Sequence, residues 1–125
     1  MTIATMRFSD PVRIDTARLN LICDEVGLQQ GEAVICTAME DVAALVQTAN
    51  KAWAQCDLKV LEPTARQISG IADRIGLVTL GAVATGVAEL CKDNDDTALS
   101  ATVARMVRMG EQSLIAIWEA QDLSV

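Results

Sequence analysis

The sequence predicts an all-α fold: an antiparallel four-helix up-and-down bundle with a short amino-terminal lid helix. Three observations predict it. Ala, Leu, Val, Ile, Met, Gln and Glu dominate the 125 residues, with only two prolines and seven glycines to interrupt them, a composition that favours helix over sheet. Apolar residues recur at steps of three and four along four long segments. Brief polar or glycine-containing stretches separate those segments, which sets neighbouring helices antiparallel. The aromatic residues are Phe8, Trp53 and Trp118, with no tyrosine, so the core falls to interlocking aliphatic side chains.

Residues 1–13 carry no helical period and are expected to lack regular structure, with Asp10-Pro11 as a turn. Asp15 or Thr16 then caps a short lid helix whose Leu19, Leu21, Ile22 and Val26 cover the core and whose stop is Gly27. From about Leu28 to Cys56, the residues Val34, Ile35, Ala38, Val42, Leu45, Val46, Ala49 and Trp53 mark one long amphipathic helix. Asp57 caps the next, whose stripe is Leu61, Ala65, Ile68, Ala72 and Ile75 and whose end is near Gly76. Proline is comfortable only in a first helical turn, so Pro63 places the regular part of this helix from Leu61 or Glu62.

Leu77 to Lys92 is almost wholly apolar and is expected to be covered by neighbours, with Gly81 and Gly86 permitting close approach. Asp93-Asn94-Asp95-Asp96 is a solvated turn and cap. The closing helix turns Leu99, Val103, Met106, Val107, Leu114, Ile115 and Trp118 inward and Arg105, Arg108 and Glu111 outward. Both tryptophans are thus assigned to the core. The whole chain, 1–125, is read as a single domain.

Charge and residue inventory exclude several classes of function. With 17 acidic against 10 basic residues the formal net charge is −7, which repels phosphate backbones, so nucleic acid is not an expected partner. There is no histidine, and Cys23, Cys36, Cys56 and Cys91 lie 13, 20 and 35 residues apart with no CxxC pair. No metal and no cofactor are therefore expected. Nucleotide-binding loops, an ExxH pair and a base beside any Ser or Cys nucleophile are also missing from the pattern, so no enzyme is expected. The amino-terminal stretch lacks a signal peptide's continuous apolar run and no segment is long enough to cross a bilayer. The expected location is cytoplasmic, off the membrane, with four reduced cysteines acting as small buried hydrophobes.

One segment is specific: Ala65-Arg66-Gln67-Ile68-Ser69-Gly70-Ile71-Ala72-Asp73-Arg74-Ile75-Gly76. It resembles the third-helix signature of histidine-containing phosphotransfer (HPt) domains, roughly A-H-x-L-K-G-S-A-x-x-L-G. Ala65, Gly70, Ala72 and Gly76 match, and Ile68 and Ile75 are conservative apolar replacements. Around it, Ile14-Asp15 to Leu21 is similar to the family's lid helix, Gln55-Cys56-Asp57 to its turn, and Ala88-Glu89-Leu90 to a fourth-helix pattern. The resemblance spans about residues 14–120 and implies a phosphorelay module of two-component signalling. Its implied partner is a response-regulator receiver domain or a hybrid histidine kinase.

The departures fall on the chemistry. Arg66 stands where the family carries its phosphorylated histidine, and Ser69 where it usually carries a lysine that attends the phosphoryl group. A guanidinium stays protonated and is a poor nucleophile, so ordinary phosphoryl transfer is not expected. Helical spacing puts Arg66, Ser69, Gly70 and Asp73 on one side, opposite the apolar stripe, and with Glu62 and Gln67 they make up the candidate docking face. Arg66 itself has two readings: a surface cation paired with Glu62 one turn earlier, or a fixed cation that enters an acidic receiver pocket. Two further functions remain open beside docking without transfer: an unrelated helical-bundle assembly subunit, and an active phosphotransfer protein with a non-histidine acceptor.

Overall fold

The computed structural model describes residues 12–123; the expected turn at Asp10-Pro11 and the aromatic Phe8 lie outside them. Five helices make up the described chain: α1 (Thr16–Val26), α2 (Leu28–Ala54), α3 (Leu58–Arg74), α4 (Val78–Asp93) and α5 (Asp96–Leu123). No strand occurs among the described residues; the one β element is an isolated antiparallel bridge between Ile14 and Leu77. Neighbours pack as α2 on α3, α3 on α4, α4 on α5 and α5 on α2, while α1 lies on α2. No described helix is long and apolar enough to cross a membrane.

The caps explain where the helices begin and end. Asp15, of the two candidates, caps α1, its carboxylate accepting from the Arg18 amide at 3.3 Å. Asp57 does the same for α3 through the Val60 amide at 3.3 Å, and Asp95 for α5 through the Ala98 amide at 3.1 Å. Each satisfies one amide of a first turn that has no intrahelical partner. At the end of α3, Gly76 adopts φ +79° and the Leu77 amide donates back to the Ala72 carbonyl at 2.8 Å, the hydrogen bond of a Schellman stop. At the end of α2 the same closure, Asp57 amide to Ala52 carbonyl at 2.8 Å, is built on Cys56 at φ +56°, a conformation that costs a non-glycine residue about 1–2 kcal/mol.

The α3 stripe is as the sequence predicts: Leu61, Ala65, Ile68, Ala72 and Ile75 are all buried. Its start is not. The helix begins at Leu58, so Pro63 lies beyond the first turn. Pro63 is exposed, so water can serve the carbonyl its ring leaves unbonded, while the Asp57 cap and the buried Leu61, Thr64 and Ala65 hold the preceding turn.

Further expectations are corrected. In α5 the inward line is Leu99, Val103, Met106, Met109, Ser113 and Ile117, whereas Ile115 is 58% and Trp118 54% exposed. Gly110 sets this line: a Cβ there would lie 3.1 Å from Val46 Cγ2, so α5 meets α2 along its glycine, and Ile115 and Trp118 rotate outward. Trp53 is half-buried, so neither tryptophan is a full core residue. In α1 only Leu19 is buried, and in α2 Val34 faces out while Met39 and Ala52 join the core. None of the four cysteines is fully buried, and Cys56 is exposed.

The amino-terminal segment is fixed from Arg13 onward. Arg13 donates its amide to Thr79 Oγ1 at 2.8 Å and its carbonyl accepts from the Val78 amide at 3.0 Å, while the Asp15 amide donates to the Gly76 carbonyl at 2.7 Å. These bonds tie the entry to α1 onto the α3–α4 turn. Gly81 admits α3 closely, since a Cβ there would lie 2.6 Å from Asp73 Oδ1, but at Gly86 the nearest atom would be at an ordinary 3.7 Å. Equilibrium denaturation checks the corrected core. Leu61→Ala is expected to cost about 2–5 kcal/mol, and Ile115→Ala less than about 1 kcal/mol.

Candidate functional site

Because five α3 residues point into the core, the rotation of α3 is fixed, and at 3.6 residues per turn its outermost position falls at Gly70. Arg66 and Arg74 flank that crest one turn to either side. Glu62, Ser69 and Asp73 lie on the edge toward α4, and Gln67 and Ile71 on the edge toward α2. The structure thus divides the candidate face of Glu62, Arg66, Gln67, Ser69, Gly70 and Asp73 into a crest and two edges.

The crest is open. Arg66 is exposed and its Nε donates to Glu62 Oε2 at 2.8 Å, the i,i+4 pair expected from the sequence. At such exposure this pair contributes only a few tenths of a kcal/mol. Its value is geometric: one carboxylate oxygen holds Nε, and the terminal Nη groups make no hydrogen bond to the described residues. Gly70 is exposed, and a Cβ there would meet nothing within 4 Å. The fold itself therefore does not require glycine at this position.

The edges differ. Toward α2, Gln67, Gly70, Ile71 and Arg74 line a shallow hollow with Asp41, Ala44 and Leu45, an apolar floor with charged ends. Toward α4, Ser69 is turned inward: its hydroxyl lies 2.8 Å from Thr85 Oγ1 and 3.3 Å from the Gly81 carbonyl, which also accepts from Thr85 Oγ1 at 3.0 Å. Ser69 is thus a tie between α3 and α4. Asp73 leans over Gly81. Both lie at the α3–α4 seam, Ser69 half-buried and Asp73 exposed.

Sequence reasoning missed four contributors. Asp41, Ala44 and Leu45 enter the hollow from α2, a placement that only the packing of α2 on α3 reveals. Cys91 lies near Glu62; burial first, and the Glu62 carboxylate second, push its thiol up from the ordinary cysteine range. It stays protonated at neutral pH and offers no thiolate to replace the missing imidazole. No group of three or more His, Cys, Asp or Glu able to hold a metal ion occurs among the described residues.

Comparison of the chain with protein-family models, curated proteins and solved structures found no match in any of the three.

Thiol labelling tests the local chemistry. Cys56, which is exposed, is expected to alkylate before Cys91, whose rate should climb only as the pH rises above the ordinary thiol range. Glu62→Gln should shift the Cys91 profile down only in part, since burial is the larger cause. Mass mapping of the labelled peptides reads both.

Proposed function

We propose that this chain is a docking module built as an antiparallel four-helix bundle of α2–α5 with α1 as its lid. In this reading it resembles an HPt domain and binds a response-regulator receiver domain or a histidine kinase without relaying phosphate. Gly70 carries the proposal. It stands at the outermost point of a seventeen-residue helix, where glycine costs about 1 kcal/mol relative to alanine and where the chain's own packing leaves the space empty. A partner surface that must approach the α3 backbone gives that residue a reason.

Arg66 supports the same reading. Nε is held by Glu62, so the outer guanidinium edge is presented toward solvent beside the clearance at Gly70. That edge suits a carboxylate or phosphoryl oxygen, bound through two parallel N–H groups. The hollow of Leu45, Ile71 and Ala44 beside it supplies an apolar footing. The protonated guanidinium and the absence of any histidine in the chain support occupancy without group transfer. The chain would then act by blocking or sequestering the partner.

The test is binding to receiver domains from the same source, each with and without an aspartyl-phosphate mimic. Gly70→Ala is expected to raise stability by about 0.5–1 kcal/mol while weakening binding, and Arg66→Glu to abolish it with helicity unchanged. Unaltered binding by both variants would remove this face from the account. Arg66→His, incubated with a phosphorylated receiver and followed by intact mass, is expected to gain one phosphoryl group.

A further inference from the structure

We infer that the groove between α1 and α2 is a self-complementary surface that seats a second copy of this chain. The groove runs along the side of α1, is closed at one end by the last turn of α3, and is lined by Leu21, Ile22, Val26, Val34 and Ile75. Leu21 is 50% and Val34 48% exposed, and Val26 is also open to water. These are the residues that the sequence pattern assigns to the inside. Gly31 accounts for part of this: a Cβ there would lie 2.7 Å from Cys23 Sγ, so α1 meets α2 through Cys23 and Gly31, and Leu21, Val26 and Val34 are left beside the contact.

The rim says what covers them. Arg18, Arg74, Glu25 and Asp41 border the groove, two cations and two anions, neutral overall in a chain of formal net charge −7. No ion pair among the described residues joins any of the four. They are also unevenly placed. Arg18 lies beside Gly76 at the α3–α4 turn, and Arg74, which ends α3, shares the neighbouring hollow with Asp41, so this end carries two cations and one anion, whereas Glu25 sits at the opposite end, next to the Gly27 turn. A two-fold axis across the groove therefore brings the cationic end of each copy onto the anionic end of the other, with the aliphatic centre closed between them. That is the requirement for an isologous interface, in which one patch matches itself. An acidic or basic partner would find only one of the two ends complementary.

Sedimentation equilibrium on the full chain tests this. The native protein is expected to show a monomer–dimer equilibrium that weakens with salt, and Val34→Glu to be monomeric. Arg18→Glu and Glu25→Arg are each expected to weaken the dimer about tenfold, because the symmetry repeats a rim pair twice. An equimolar mixture of those two variants should recover native affinity, since each supplies the charge the other lacks. A native protein that stays monomeric at every concentration overturns the inference, as does a mixture that fails to recover. Should Val34→Glu lose helicity by circular dichroism, the charge-reversal mixture decides alone. None of these substitutions touches Glu62, Arg66 or Gly70, so failure here leaves the docking proposal standing, and failure of docking leaves the dimer standing.

Discussion

Burial of the α3 stripe is the constraint on which the rest of the structure depends. Leu61, Ala65, Ile68, Ala72 and Ile75 leave almost no surface to water, and α3 packs on both α2 and α4. Burying aliphatic side chains contributes roughly 1.5–3 kcal/mol for each large one, so turning α3 about its axis would forfeit several of these contributions together. The helix has one rotation. From that follow the outward position of Gly70, the exposure of Arg66, the inward turn of Ser69 toward Thr85, and the closeness of Asp73 to Gly81.

The turn after α3 transmits this fixed rotation to the amino terminus. Gly76, in a left-handed conformation that would place a Cβ 2.7 Å from the Asp15 carbonyl oxygen, lets the backbone of Arg13–Asp15 lie against Gly76–Val78. The hydrogen bonds there satisfy main-chain groups at the junction of three elements. One glycine therefore serves two purposes, stopping α3 and seating the entry to α1. The direction of α1, and with it the existence of a groove on its flank, depends on the same residue.

How far the sequence discloses this varies with the physical origin of each feature. The α3 stripe and the Asp57 cap were legible because local period and capping chemistry agree with the packing, and Gly76 because few other residues adopt its backbone conformation. The α5 face was not. Its apolar residues include Ile115 and Trp118 as well as Met109 and Ile117, and only the approach of Gly110 to Val46 decides between the two lines. Glycine marks a close contact without naming its partner. The left-handed Cys56 was hidden for a related reason: the stop of α2 is imposed by the Asp57 amide and the packing on either side, against the residue's own preference. At the candidate face the helical period tells which residues point away from the stripe, but not which edge each occupies, since Ser69 and Thr85 meet only through the packing of α3 on α4.

The same distinction bears on Arg66. Phosphoryl transfer through a nitrogen at this position needs a lone pair that is free near neutral pH, and a guanidinium has none. Docking needs only shape and charge, and these are the properties a rigid helix preserves best. An arginine beside the crest lacks the first capacity and suits the proposed second, because its charge does not vary with pH and its planar fork matches an oxyanion where a neutral imidazole does not. Under the proposed docking, the glycine one turn on has a reason. For a solvated surface it is a continuing cost to helix stability; for a surface that receives a partner it is the clearance that lets the fork be reached.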